Sequence, residues 1–161
     1  MFKTAKVAAA GVAALSGLAL LLAMPASGAP NPNSTKRYEF VSQAKTWNAA
    51  NAEAISKHGH LVAITSEIEY QRVMGIASSR RIWLGGTDSA QEGVWRWVNG
   101  GVFFVYDEAI GGAAVRGAVN HWNSGEPNDS GGEDCLEMGA TGGWNDLNCA
   151  GPSLPFIIEY D

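Results

Sequence analysis

An α+β fold with an antiparallel sheet is predicted by three features of this 161-residue chain. Helical periodicity is confined to one segment, residues 42–78. From Ile82 onward come short aromatic and β-branched runs, IWLGGT, VWRWV, VFFVY, CLEM and FIIEY, parted by glycine-rich turns. Between VFFVY and CLEM lies a long polar stretch with little regular signal, and a loop of that length in a compact domain is usually functional or disordered. Helices and strands segregated along the chain, rather than alternating, give α+β.

The elements follow in order. Residues 1–29 carry Lys3 and Lys6, an apolar run from Val7 to Met24, and the small residues Ala26, Ser27, Gly28 and Ala29, the pattern of a secretory signal peptide. A retained membrane anchor is the alternative, since the apolar run approaches spanning length. Residues 30–35 read as a polar linker, and residues 36–161 as one domain. RYEFV reads as a first strand. SQAKTWNAANAEAISKHG reads as a helix with Trp47, Ala50, Ala54 and Ile55 on one face, ending at Gly59. HLVAI is extended. TSEIEYQRVMGIAS is a second helix, with Ser66 and Glu69 as a capping box and Ile68, Val73, Met74 and Ile76 as its apolar face.

Charge points to the partner. The chain carries a net −5, and Arg116 is its last basic residue. Beyond it stand Glu126, Asp129, Glu133, Asp134, Glu137, Asp146, Glu159 and Asp161. An acidic third of this kind argues against nucleic acid and anionic membranes, and for a cation. Calcium takes six to eight oxygen ligands from carboxylates, amide carbonyls and backbone carbonyls. Glu126, Asn128, Glu133, Asn145 and Asp146 supply that mixture. A carboxylate beside an amide also suits a sugar hydroxyl, which donates to the first and accepts from the second. Export implies an oxidising compartment, so Cys135 and Cys149 are expected to form a disulfide, two buried thiols being the alternative.

The segments WNSGEPN, GGEDCLEM and GGWNDLNC, in that order, resemble the long loop of C-type lectin domains. TWNAANAEAISKHGHLVAITSEIEY resembles the two-helix half of that fold, IWLGGTD and VWRWVNG its central strands, and PFIIEY its closing strand. The resemblance spans residues 36–161 and implies two helices packed on short antiparallel sheets with a long calcium-binding loop. It implies a principal calcium held by Glu126, Asn128, Glu133, Asn145 and Asp146, with Asp146 also giving its backbone carbonyl and Pro127 in the cis form. The sugar would coordinate this calcium through two neighbouring hydroxyls, one gripped by Glu126 and Asn128, the other by Glu133 and Asn145. Glu-Pro-Asn goes with mannose, glucose, fucose and N-acetylglucosamine, and Gln-Pro-Asp with galactose. A second calcium would take Asp88, Glu92, Asp129 and Asp134, with the carbonyl of Glu133; for Asp88 and Glu92 turn chemistry beside Gly86 and Gly93 is the alternative. The loop disulfide Cys135–Cys149 fits the family. The disulfide that usually ties the first helix to the last strand does not, its positions being Ala54 and Ile158.

The expected protein is a secreted or periplasmic calcium-dependent lectin, not an enzyme. Its partners would be glycans with mannose-type vicinal hydroxyls, with no nucleic acid and no membrane insertion of the mature chain, and an oligomer would supply avidity. Two other classes are weighed against it. Glu126 and Glu133 could be the acid and base of a glycosidase, but their neighbours are amides and further acids rather than the apolar pocket an acid catalyst needs. The same fold could bind a protein, ice or a mineral surface, a role that needs neither Glu-Pro-Asn nor Trp-Asn-Asp. The tryptophans read as core anchors, Trp122 or Trp144 being the ones placed to touch a glycan. His58 and His60 read as a helix-end and a core histidine, with no further zinc ligand in sequence nearby.

Overall fold

The structure, a computed structural model, describes residues 36–161 apart from 108 and 110. The expected signal peptide and linker lie outside the described residues. The chain runs β1 (Arg37–Lys45), α1 (Trp47–Ser56), β2 (His60–Leu61), α2 (Glu67–Ala77), β3 (Ile82–Thr87), β4 (Val94–Trp97), β5 (Gly100–Asp107), β6 (Gly111–Ala114), a 3-10 turn (Val115–Gly117), β7 (Cys135–Met138), β8 (Trp144–Leu147) and β9 (Leu154–Tyr160). The strands form one sheet in the order β1-β9-β3-β4-β5-β6, with β2 added on β9 and the pair β7, β8 added on β3. The first and last described strands pair antiparallel from Arg37–Tyr160 to Val41–Phe156, so the ends of the domain are tied together. Most ladders are antiparallel, as expected for α+β; β3 and β9 meet in parallel at Trp83 and Phe156.

Large aromatics fill the interior. Trp83, Trp95 and Trp144 are fully buried, and Trp47 and Trp97 nearly so. Two of these places need indole rather than phenyl. The Trp47 ring N–H donates to the Leu84 carbonyl and that of Trp83 to the Lys45 carbonyl, each at 2.8 Å, so two backbone acceptors under the sheet are satisfied from the core. Trp97 stacks on Phe103 at 4.2 Å, and both meet Trp144 edge-on. Ala54 and Ile158 are fully buried in one cluster with Trp47, Trp83 and Phe156, so apolar packing occupies the place where the family's usual helix-to-strand disulfide would sit.

The helices depart from the sequence expectation in register and ends. Strand β1 continues to Lys45, and Thr46 caps α1 by accepting from the Ala49 N–H. Ile55, expected inward, is 62% exposed. The left-handed residue ending α1 is His58, not Gly59. Gly59 is required for a different reason: a Cβ there would lie 2.7 Å from the Glu159 carbonyl and from the Ile158 side chain. In α2, Ile68 is 78% exposed while Glu69, Tyr70, Val73 and Ala77 face inward.

Only half of the expected capping box forms. Ser66 accepts from the Glu69 N–H, but the Glu69 carboxylate turns to Thr65, taking its N–H and hydroxyl at 2.8 Å. It also takes the Tyr38 hydroxyl at 2.7 Å and the Lys36 ammonium at 2.9 Å. A carboxylate with four donors can be buried without an unpaired charge, which is why an acid displaces Ile68 from the inward face.

Candidate functional site

The long stretch between β5 and β7 is not structureless. Residues 111–114 add β6 to β5, and residues 144–147, read within the loop, pair with β7 as β8. Strand β8 carries Asn145 and Asp146, so two of the expected ligands stand on a sheet rather than on a mobile loop. The disulfide Cys135–Cys149 is formed, joining the start of β7 to the turn just beyond β8 across a separation of 14 residues. Closing a loop of that size contributes about 3 kcal/mol in the chain-entropy model.

The start of the loop is pinned by residues that the sequence left unassigned. His121 stacks on Tyr70 of α2 at 3.6 Å, nearly parallel, and its Nε2 lies 3.0 Å from Glu67. The Trp144 N–H donates to the His121 carbonyl and the Asn123 N–H to that of Trp144, which draws residues 121–123 alongside β8. Gly143 admits this approach, because a Cβ there would collide with the Asn123 amide. Nothing in the local sequence marks these contacts, which join segments far apart in the chain. Trp144 is fully buried and cannot touch a glycan; Trp122 is half-buried.

Asp146 organises the Glu-Pro-Asn turn. Its fully buried carboxylate accepts from the Asn128 N–H at 3.0 Å and the Asp129 N–H at 2.8 Å. The Glu126–Pro127 bond is cis. The Asn128 side-chain Nδ2 donates to the Glu126 carboxylate, and its Oδ1 accepts from the Ser130 N–H. Asp129, with φ of +46°, takes the Glu133 N–H at 2.7 Å. Glu126, Asn128 and Asp146 are thus brought into direct contact, with Glu133 joined to them through Asp129. Asn145 is turned aside: its amide donates to the Asp146 carbonyl at 2.6 Å and to Glu137 at 3.3 Å.

The electrostatics describe a site short of positive charge. Burial, and then the neighbouring Asp146 carboxylate, push Glu126 up to about 7. Burial and Asp146 also raise Glu133. The second set behaves alike. Asp88, Glu92 and Asp134 each place a ligand atom within 4.8 Å of the others. Burial, then Glu92 and Asp134, push Asp88 up to about 7 against the pull of the Gly93 N–H. Burial, Asp129 and Asp134 raise Glu92. Asp88 Oδ1 is buried without a partner, which turn chemistry alone does not explain. Hard oxygen donors, crowded and lacking a counter-charge, fit a calcium ion. A cavity of about 320 Å³ adjoins both sets, lined by Glu92, Trp95, Tyr106, Pro127, Asn128 and Asp129.

A third group forms where the sequence showed none. The fold brings Glu159 and Asp161 to His60, within 4.8 Å of one another. Glu159 is already engaged, however, by the Lys36 ammonium and the Ala63 N–H.

Comparison with known proteins agrees with the fold. The family model for the lectin C-type domain matches residues 43–157. Hepatic lectin of Gallus gallus is 35% identical over 113 residues, covering 70% of this chain and 49% of that protein, so the chain spans about half the length of this relative. Among solved structures, the cow CD23 carbohydrate-recognition domain, determined in the presence of a GlcNAc2Man3 oligosaccharide, superposes with a TM-score of 0.64 at 30% identity, covering 78% of this chain and 87% of that one. A calcium-independent type II antifreeze protein superposes with a TM-score of 0.63 at 25% identity, covering 78% and 85%.

Proposed function

The chain belongs to the C-type lectin domain family, and from that premise we propose that it is a secreted, calcium-dependent carbohydrate-binding module for mannose-type sugars. The family is one of lectins, which bind and do not catalyse, and the chain is not an enzyme. The observation that carries the calcium reading is the cluster of Glu126, Glu133 and Asp146, which among the described residues has no cationic side chain in contact with it. Glu126, Asn128, Glu133, Asn145 and Asp146 would hold the principal ion, and Asp88, Glu92, Asp129 and Asp134 a second. When bound, calcium supplies the charge that relieves the carboxylates and a Lewis-acidic point for two sugar hydroxyls. The protein's part is orientation. Glu126 would accept a hydrogen bond from a hydroxyl to which Asn128 donates, and Glu133 and Asn145 would grip its neighbour. Asp146 keeps the turn in place through the Asn128 and Asp129 amides.

Retention on immobilised mannose tests the reading. The chain should be held in calcium, released by a chelator, and weakly held on galactose. The double change Glu126→Gln/Asn128→Asp should lose mannose and move toward galactose, because it exchanges acid and amide around one hydroxyl. Calcium-independent retention would sink the proposed mechanism. The likeness to a calcium-independent antifreeze protein favours a second reading, a protein or surface ligand, to which calcium binding without any sugar retention would point.

A further inference from the structure

We infer that Glu137, gripped by Arg81, is a positioning residue that sets which way round the side-chain amide of Asn145 lies. This rests on Asn145 being a ligand of the proposed principal calcium. Arg81, just before β3, donates to Glu137 through Nε at 2.8 Å and Nη2 at 2.7 Å, a two-pronged pair in which both carboxylate oxygens are engaged. Glu137 stands on β7, is 4% exposed, and lies directly opposite Asn145 across the β7–β8 ladder. Its Oε1 accepts from Asn145 Nδ2.

An asparagine amide is nearly symmetric in shape, and only its partners decide whether oxygen or nitrogen faces a given side. A carboxylate accepts and cannot donate, so the face of Asn145 toward Glu137 must present nitrogen. The Asp146 carbonyl, also an acceptor, imposes the same demand. Asn145 Oδ1 is then the atom turned away from both, and an oxygen is what a hard cation needs from that side chain. Arg81 holds the carboxylate in the plane from which it can do this. The half-exposed arginine needs no burial of its own, so the device contributes orientation rather than core packing.

Groups that hydrogen-bond to a metal ligand from behind typically contribute about 10–100-fold in metal affinity. Calcium titration calorimetry of the full chain, in a double-mutant cycle, separates orientation from packing. Glu137→Gln keeps the size but offers both donor and acceptor, so the amide of Asn145 is directed by the Asp146 carbonyl alone; calcium affinity should fall, by up to about tenfold. Asn145→Asp has two equivalent oxygens and nothing to orient. In that background Glu137→Gln should not weaken calcium, and should strengthen it by removing a facing like charge. Arg81→Gln should lose part of the affinity and Arg81→Lys, which cannot grip both oxygens, should only partly restore it. In chelator, one Asn145 side-chain NH2 proton should resonate downfield in the wild type and return to the ordinary range in Glu137→Gln.

An equal loss in both backgrounds, or none in either, overturns the positioning role and leaves the calcium site standing. Should Asn145→Ala leave calcium affinity unchanged, Asn145 is no ligand and this inference falls, whereas a chain that takes up no calcium at all would overturn the calcium reading itself.

Discussion

Glu126 is held in two opposing ways, and that opposition can be measured. Burial and Asp146 lift its pKa from 4.5 to about 7, so without metal its ionised form is disfavoured in the folded state. A carboxyl raised on folding binds its proton more tightly in the folded chain. Its contribution favours folding below about 4.5 and is lost as pH rises to about 7. Glu126→Gln removes the charge while keeping the shape. In chelator at pH 7.5 this variant should therefore melt above the wild type, and at pH 4 the two should coincide. In saturating calcium the order should reverse, because the variant has lost a ligand. Thermal melts at the two pH values, with and without calcium, check both signs. A variant less stable in chelator at pH 7.5 would show that no uncompensated charge resides at Glu126. Acid should also weaken calcium itself, since protonated carboxyls cannot bind it.

Among the elements, the buried carboxylate of α2 is as informative as the site. Glu69 ties that helix to Lys36 and Tyr38 of the first strand region and to Thr65 before the helix. Burial alone would raise its pKa, but these donors outweigh burial and lower it, so its stabilising effect is present at neutral pH and fades as pH falls. Glu69→Ala should cost about 3 kcal/mol, read from urea midpoints, because it strands a lysine, a tyrosine hydroxyl and a backbone N–H. A loss near that of a surface change, under about 0.5 kcal/mol, would mean that water satisfies those donors. Here the limits of the sequence are visible. The strands beginning at Ile82 were legible because β-branched and aromatic runs bounded by glycine admit little else. The inward face of α2 was not, because an acid can take the inward place expected for Ile68 only when donors such as Lys36 and Tyr38 meet it, and that meeting is tertiary. Strand β6, Gly111–Ala114, has only two methyl side chains and so no pattern to announce it, and it pairs along β5. The candidate ligands were legible as residue types in a loop. What was hidden was their support, the Arg81–Glu137 pair and the His121–Tyr70 stack, each joining residues more than 50 positions apart.

At the scale of the molecule, Glu126, Asp129, Glu133 and Asp146 gather where the loop meets β8, while Lys45 and Lys57 are spent on Glu53 and Glu39 elsewhere. The result is a sheet carrying a carboxylate cluster, which the proposed calcium would complete. One shallow grip on two hydroxyls should give monovalent sugar binding on the order of millimolar, about −4 kcal/mol, so useful avidity would require several copies or clustered glycans. The central claim is that sugar and protein share one calcium, and thermodynamic linkage tests it without a column or a cell. Calcium affinity should be measured by calorimetry alone, then with methyl α-mannoside at about ten times its own Kd, then with the matching galactoside. If the sugar binds only the calcium-loaded site, the mannoside tightens calcium about tenfold and the galactoside leaves it nearly unchanged. Calcium affinity indifferent to both sugars would contradict a shared ion, and with it the reading of this chain as a calcium-dependent mannose binder.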